Sequence, residues 1–116
     1  MRVIRIFAGK DGESHFEDVD IAVSDAGAIG RLSELIPATG MIFRETSGDY
    51  DYGWHNAPVR QYVLMLEGGV EIETSDGSVR RLKAGDILLA EDTTGKGHIS
   101  RAIDGQPRRS VFVTLG

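Results

Sequence analysis

Short runs of β-forming residues alternate with glycine-containing turns along most of this chain, and this spacing constrains its fold more than any other feature. The run 62–66 (YVLML) ends at a Gly-Gly turn, and the run 70–74 (VEIET) ends at an Asp-Gly turn. Runs of this kind bounded by such turns indicate strands joined in hairpins. Short strands at steady spacing are typical of an all-β sandwich or barrel, and 116 residues suit a single domain.

Further strands are predicted wherever the same pattern recurs. They cover 2–8, 15–23, 40–47, 78–82, 86–91, 98–103 and 110–115. Residues 25–37 (DAGAIGRLSELIP) interrupt the pattern, and two interpretations fit them. Either 30–36 form a helical turn that Pro37 ends, or the segment is irregular and lies over the barrel or a neighbouring subunit.

Charge and hydropathy exclude several classes of function. The net charge is −5 and no segment carries a cluster of Lys and Arg, so we expect no nucleic-acid partner. No apolar stretch is long enough to cross a bilayer, and the first residues (MRVIRIFAGKDGE) lack the apolar centre of a signal peptide. Without cysteine, disulfides and thiolate metal sites are ruled out. These features predict a cytoplasmic protein with no membrane partner.

A group of polar residues lies at and before the run 62–66. Gln61 heads an apolar row with Val63 and Met65, because alternate residues of a strand share a face. A buried amide needs a partner, which could be a ligand, a metal or another polar side chain. His55 and the only tryptophan, Trp54, come shortly before it. The sequence therefore predicts a site at the start of this strand.

The order of these residues resembles the two sequence motifs of the cupin superfamily. The residues at the motif positions are His55, Ala57, Gln61 and Gly68 for the first motif, and Gly85, Asp86 and His98 for the second. The resemblance covers 41–115 and implies an all-β cupin fold, a double-stranded β-helix or jelly-roll barrel. It also implies a homodimer in which N-terminal strands pack across the interface. It divides a single cupin domain into N-terminal strands and a loop arm, 1–38, and a barrel core, 39–116.

The motif departs from the family at positions that hold a metal there. Ala57 replaces a histidine, Gln61 replaces the acidic ligand, and Glu91 stands where the family usually has proline. The resemblance leaves His55, Gln61 and His98 as ligands for a divalent metal such as iron, manganese, nickel or zinc. Because a neutral amide attracts a cation less than a carboxylate does, a native metal is expected less often than in the family. The identity of any cofactor stays open.

The two histidines also suit acid–base chemistry without a metal, because imidazole titrates near neutral pH. We expect His55 and His98 to be the catalytic pair, whereas His15 is expected to be an ordinary surface or hydrogen-bonded residue. The predicted ligand contacts are Gln61, Glu91, Lys96, Arg44, Met65 and Trp54. Glu91, Asp92 and Lys96 are expected near the entrance, where they could orient a substrate. For Arg44 two inner rows remain open, 42/44/46 and 41/43/45, since its strand has apolar residues on both sides of it.

An apolar pocket with a few convergent polar groups is the usual form of a small-molecule site. Its predicted lining is Val63, Met65, Leu88 or Leu89, and Val113. We therefore expect a protein that binds a small organic ligand in its barrel, with or without a divalent metal. As an enzyme it would be an isomerase, a lyase or an oxygenase. The alternative is a non-catalytic metabolite-binding or structural cupin that has lost its metal, and the sequence leaves open whether the protein is an enzyme.

Overall fold

The structure is a computed structural model that describes residues 1–116. It contains twelve strands and one short 3-10 helix, Gly27–Ile29. The strands are β1 (Arg2–Ala8), β2 (Ser14–Asp20), β3 (Ser24–Asp25), β4 (Arg31–Leu32), β5 (Gly40–Thr46), β6 (Asp51–His55), β7 (Gln61–Glu67), β8 (Val70–Thr74), β9 (Val79–Leu82), β10 (Ile87–Glu91), β11 (His98–Ala102) and β12 (Arg108–Thr114). The prediction of an all-β chain is confirmed. None of its helical structure has the length and apolar character needed to span a bilayer.

Two sheets form the body of the fold. The larger has the strand order β2-β1-β10-β7-β12-β5, and the smaller has the order β6-β11-β8-β9. All pairs are antiparallel except β1 with β10. Strands β7 and β8 follow one another in sequence but lie in different sheets. This exchange of the chain between two sheets is the pattern of a jelly roll.

The Gly-Gly turn after β7 does not close a hairpin, so the hairpin prediction at this point is wrong. The turn carries the chain from the larger sheet to the smaller one. Gly68 has φ +72°, and a Cβ atom there would lie 2.3 Å from the carbonyl oxygen of Pro107. Only glycine fits such a crossing without strain. The Asp-Gly turn, in contrast, does join the paired strands β8 and β9.

The core lies between the two sheets. It takes Val63, Met65 and Leu88 from the larger sheet and Val70 and Ile72 from the smaller one. Their alternation with partly exposed residues along β7 and β8 is what a sheet with one buried face requires.

The N-terminal strands belong to the larger sheet. Strand β1 runs parallel to β10, with Ile4 beside Leu88 and Ile6 beside Ala90. The side chain of Ile6 is fully buried in the core. Residues before 39 therefore contribute directly to the wall of the barrel.

The structure chooses between the two leucines left open for the lining, and it shifts one other predicted lining position by one residue. Leu88 faces the core cavity and Leu89 lies on the opposite face of β10, because neighbouring residues of a strand alternate. Phe112 is paired with the inward-facing Val63, and directly opposed residues share a face. Phe112 therefore lines the cavity, and the prediction of Val113 is wrong.

The segment 25–37 forms no α-helix, so the helical turn at 30–36 is wrong and the irregular alternative is correct. Residues 24–25 and 31–32 pair as a small ladder around the 3-10 helix, and 33–39 have no regular structure. Gly30 has φ +103°, which is incompatible with the start of a right-handed helix. Leu35 is 93% exposed, so the apolar residues here have no surface of this chain on which a helix could be stabilised.

Candidate functional site

A cavity of about 390 Å³ opens between the two sheets. Eleven of its nineteen lining residues are hydrophobic, which makes the wall mainly apolar. The charged and titratable lining residues are Arg44, Tyr50, Tyr52, His55, His98 and Arg108. The lining holds no Asp or Glu. Both the volume and the mixture of an apolar wall with a few polar groups are those of a small-molecule site.

His98, the first residue of β11, is held by a buried carboxylate. Its Nδ1 lies 2.5 Å from Oδ2 of Asp92, which is fully buried in the loop after β10. The Nδ1–H group donates to the carboxylate, so the ring presents Nε2 for any bond to a ligand. The second oxygen of Asp92, Oδ1, has no hydrogen-bond partner. The carboxylate therefore orients the imidazole ring of His98.

His55, at the end of β6, lies directly opposite His98 in the smaller sheet. The two ring centroids are 4.4 Å apart, and the ring of Tyr52 lies 4.0 Å from that of His55 on another side. The Nδ1–H of His55 donates to the carbonyl oxygen of Gly53 at 2.7 Å, which leaves Nε2 as an acceptor.

Burial lowers the pKa of His55, and the positive charges of His98 and Arg44 lower it further. The hydrogen bond to Gly53 and the charge of Asp92 act in the opposite direction without cancelling the shift. His55 is therefore a neutral base at neutral pH. The pair combines a histidine oriented by a buried carboxylate with one that is held neutral.

A glycine next to His98 permits the close approach of the two imidazole rings. Gly97 has φ +73°, and a Cβ atom there would lie 2.2 Å from the carbonyl oxygen of His55. Any other residue would push β11 away from β6 at the point where the two imidazoles meet.

A second polar group lies at the other end of the cavity, on the inner face of β5 and β12. Arg44 and Ser110 are directly opposed across the two strands, as are Thr46 and Arg108. Arg108 is only 7% exposed, and its Nε has no hydrogen-bond partner. Burial lowers the pKa of Arg108, although a guanidinium remains charged at any physiological pH. The row 42/44/46 is thus the inner row, and Met41 and Phe43 face outward, 60% and 78% exposed.

Comparison with known proteins identifies the fold. The structure of protein NMB1881 from Neisseria meningitidis matches 72% of this chain and 81% of its own, with a TM-score of 0.52 and 22% sequence identity. The structure of a putative ethanolamine utilization protein Q, EutQ, from Salmonella typhimurium matches 99% of this chain and 95% of its own, with a TM-score of 0.52 and 15% identity. This chain has a cupin-like jelly-roll fold. No protein-family model and no curated protein sequence matches it.

The metal motif of the cupin-like barrel is incomplete. His55, Gln61 and His98 do line the same cavity, as predicted, and Met65 lies in its wall. Ala57 is 4% exposed and also lines the cavity, so an alkyl group takes the space of a further imidazole. No group of three or more His, Cys, Asp or Glu side chains is arranged so that it could hold a metal ion. Two imidazoles and a neutral amide lack the anionic ligand or third imidazole of catalytic metal sites, so the donor set does not fit a tightly held ion.

Glu91 is outside the cupin-like cavity. It follows Ala90, which lines the cavity, and therefore faces the other side of β10. There it accepts hydrogen bonds from Nε of Arg5 and Nε of Arg60, both at 2.6 Å. Burial opposes ionisation of Glu91, but these two guanidinium groups outweigh it and hold its pKa below the ordinary value. The expected position near the entrance is wrong.

Lys96 and Trp54 are also absent from the lining of the cavity. The loop 92–97 folds back over the N-terminal turn, where the backbone N–H of Lys96 donates to the carbonyl oxygen of Gly12 and its ammonium pairs with Glu13. Trp54 is 52% exposed because it alternates with the inward-facing His55. His15 bonds Asp11 and Asp76 on the surface, consistent with an ordinary role.

The sequence placed Asp92 near the entrance as a possible substrate contact, but not as the buried partner of His98. Arg108 and Arg109 were expected to be solvated, which is wrong for Arg108 because it is only 7% exposed. The two arginines are adjacent, so only one of them can face the core, and nothing in the sequence indicates which.

Proposed function

We propose that the cavity binds a small organic molecule and that His55 and His98 transfer a proton on it. The observation that carries this proposal is the buried Asp92–His98 pair, 2.5 Å apart, beside a second and neutral imidazole on the wall of the cavity. Two neighbouring titratable groups in different surroundings are characteristic of acid–base pairs.

The roles follow from the hydrogen bonds on the far side of each ring. His55 bonds Gly53 through Nδ1, so its Nε2 accepts a proton from a C–H or O–H bond of the ligand. His98, whose ring is oriented by Asp92, returns a proton from Nε2 to another atom of the same molecule. The net change is a proton moved within the ligand, or the loss of water when the proton is returned to a leaving hydroxyl. Isomerase and lyase reactions are of this kind.

Gln61 supports the same interpretation. It is 6% exposed as a residue and lines the cavity. Its amide can both donate and accept, so it would bond a carbonyl or hydroxyl group of a ligand in the cavity. An oxygenase reaction would need a metal centre that the donor set does not complete, so we do not propose one.

The test is hydrogen–deuterium exchange of small molecules in D₂O. We would incubate a panel of hydroxy and oxo acids with the protein and follow the C–H signals next to the carbonyl group by proton NMR. Exchange faster than in buffer, lost in His98→Gln and slowed in Asp92→Asn, is the expected result. His15→Gln is the control, because that residue lies outside the cavity. Exchange that is absent throughout, or unchanged in His98→Gln, would refute proton transfer.

A second candidate is ligand binding without chemistry. It is favoured by the mainly apolar wall of the cavity. It is also favoured by Ser100, because the hydroxyl of this residue is engaged in a structural hydrogen bond with that of Tyr50 at 2.9 Å. A ligand that raises the melting temperature of wild type and of His98→Gln equally, with no exchange in either, would favour this candidate.

The expected homodimer remains a prediction. Strand β5 forms one edge of the larger sheet, and its outward residues Met41 and Phe43 are exposed. Leu35, in the segment that leads to β5, is exposed as well. An apolar edge strand is a liability in an isolated subunit. A second copy of this chain, paired about a twofold axis, would cover the same surface on both subunits.

A further inference from the structure

We propose that Arg44 and Arg108 bind an oxyanion group, a carboxylate or a phosphate, of the molecule that occupies the cavity. This inference rests on the proposed function, since it specifies the class of ligand that the same cavity accepts. The ligand is then a small organic acid or phosphate ester rather than a neutral metabolite.

The first argument is the absence of any internal counter-charge. Neither Arg44 nor Arg108 forms a salt bridge. The neighbouring Arg109, on the outer face of the same strand, pairs with Glu67 at 3.5 Å. A buried charge is normally paired, so an unpaired guanidinium in a cavity points to a partner that comes from outside the protein.

The second argument is the set of unused donors around the two guanidinium groups. Thr46 Oγ1, Arg108 Nε and Ser110 Oγ are all buried without a hydrogen-bond partner. Cross-strand pairing places Thr46 beside Arg108 and Ser110 beside Arg44 on the same face. The two guanidinium groups line the cavity, and the two hydroxyls lie beside them, outside its lining. Guanidinium groups match the acceptor oxygens of a carboxylate or phosphate.

The third argument is the ring of Tyr50, which holds both arginines in place. The guanidinium carbon of Arg44 lies 5.4 Å from the centre of the ring, and that of Arg108 lies 5.1 Å from it. A ring face attracts cations. It therefore reduces the repulsion between the two arginines, and Nε of Arg108 still has no hydrogen-bond partner.

The patch and the histidines are spaced to suit one small molecule. Tyr50 contacts the arginines through its ring and bonds Ser100 through its hydroxyl. Ser100 is two residues beyond His98 on β11, which corresponds to about 7 Å along the strand. A ligand held by its anionic group at the arginines can therefore place a carbon atom a few bonds away beside His55 and His98.

The cavity is expected to prefer an anion, although the net charge of the whole chain is negative and would repel one. The protein carries a net charge of −5, yet two arginines and no carboxylates line this space. A neutral ligand would leave the buried guanidinium of Arg108 and the half-buried one of Arg44 unpaired, and a site built in this way discriminates strongly against it.

The experiment is a titration of the arginine side chains. In ¹⁵N-labelled protein the Nε–Hε signals of Arg108 and Arg44 would be followed by NMR while acetate, inorganic phosphate or acetamide is added at constant ionic strength. We expect saturable shifts of both signals with at least one anion, no saturable shift with acetamide, and only small linear changes at Arg109. The anion that saturates at the lower concentration distinguishes a carboxylate site from a phosphate site.

Matched substitutions complete the test. Arg108→Met should weaken anion binding, followed at Arg44, by about tenfold or more, whereas Arg109→Met should leave it unchanged. Linear shifts at Arg108 that do not exceed those at Arg109, with both anions, would overturn the inference. So would unchanged affinity in Arg108→Met.

Failure of this inference and failure of the proposed function are distinguishable. His98→Gln should retain the anion titration, because His98 is not part of the patch. If anions do not saturate but exchange is still catalysed, the inference alone fails. If anions saturate but no exchange occurs, proton transfer alone fails.

Discussion

Replacing Arg108 by methionine should stabilise the folded protein, even though it removes a binding group. Arg108 is 7% exposed, carries a full charge and has an unsatisfied Nε. A buried donor without a partner costs about 1–3 kcal/mol, and a buried charge adds to that cost. Methionine is unbranched and flexible enough to fill the same space with apolar contacts.

The gain is reduced by one favourable contact that the variant loses. The guanidinium of Arg108 lies 5.1 Å from the centre of the Tyr50 ring, and such a contact is worth about 1 kcal/mol. The net expectation is an increase of about 1–2 kcal/mol in the free energy of unfolding. At about 4 °C per kcal/mol for a domain of this length, the melting temperature should rise by about 4–8 °C.

The assay is urea denaturation followed by circular dichroism in ligand-free buffer, with Arg109→Met as the matched control. Arg109 is exposed and its pair with Glu67 is open to solvent, so its replacement should change the free energy of unfolding by less than about 0.5 kcal/mol. A loss of more than about 1 kcal/mol in Arg108→Met would refute the reasoning. It would mean that the charge of Arg108 is compensated within the protein.

The remaining predictions concern pH, metal affinity and assembly. Because burial lowers the pKa of His55 in the folded state, the unfolded chain binds the proton more readily, and stability falls as the pH drops below about 6.5. His55→Gln should lose less stability than wild type between pH 7.5 and pH 5 in urea titrations, and equal losses would contradict the assignment. Gln61→Glu should bind zinc or nickel about tenfold more tightly or better by adding an anionic ligand, and an unchanged calorimetric titration would show that this position cannot reach the ion. Phe43→Glu should convert the expected dimer to monomer in light scattering, and an unaltered mass in a dimeric wild type would exclude the β5 surface as the interface.

The pattern of residues predicted most of the strands because their signals are local. In β7 and β8 one face is apolar and the other is not, so alternation alone identified Val63 and Met65 as inward-facing. In β5 and β12 both faces carry apolar residues, and alternation could not choose between them. The pairing of Phe112 with the inward-facing Val63 shows which face of β12 is the inner one.

The residues of the candidate site also divide into those that the sequence predicted correctly and those that it did not. His55, Gln61 and His98 were predicted because their order along the chain resembles known motifs, and all three line one cavity. The expected positions of Glu91 and Lys96 were wrong because each side chain binds a partner that is distant in sequence. Glu91 accepts hydrogen bonds from Arg5 and Arg60, and Lys96 pairs with Glu13. Spacing along the chain contains no information about such partners.

By itself the sequence determined that this chain is a set of short antiparallel strands joined by glycine turns, with two histidines and a glutamine at the start and end of strands. Hydrophobic alternation and the freedom of glycine at positive φ are local properties, and local properties can be read from neighbouring residues. Only the tertiary structure decided that Asp92 is buried against His98, and that Arg108 faces inward without a counter-charge while Arg109 faces outward with one. The cost of burying a charge depends on every group that surrounds it in space, and those groups come together only when the two sheets pack.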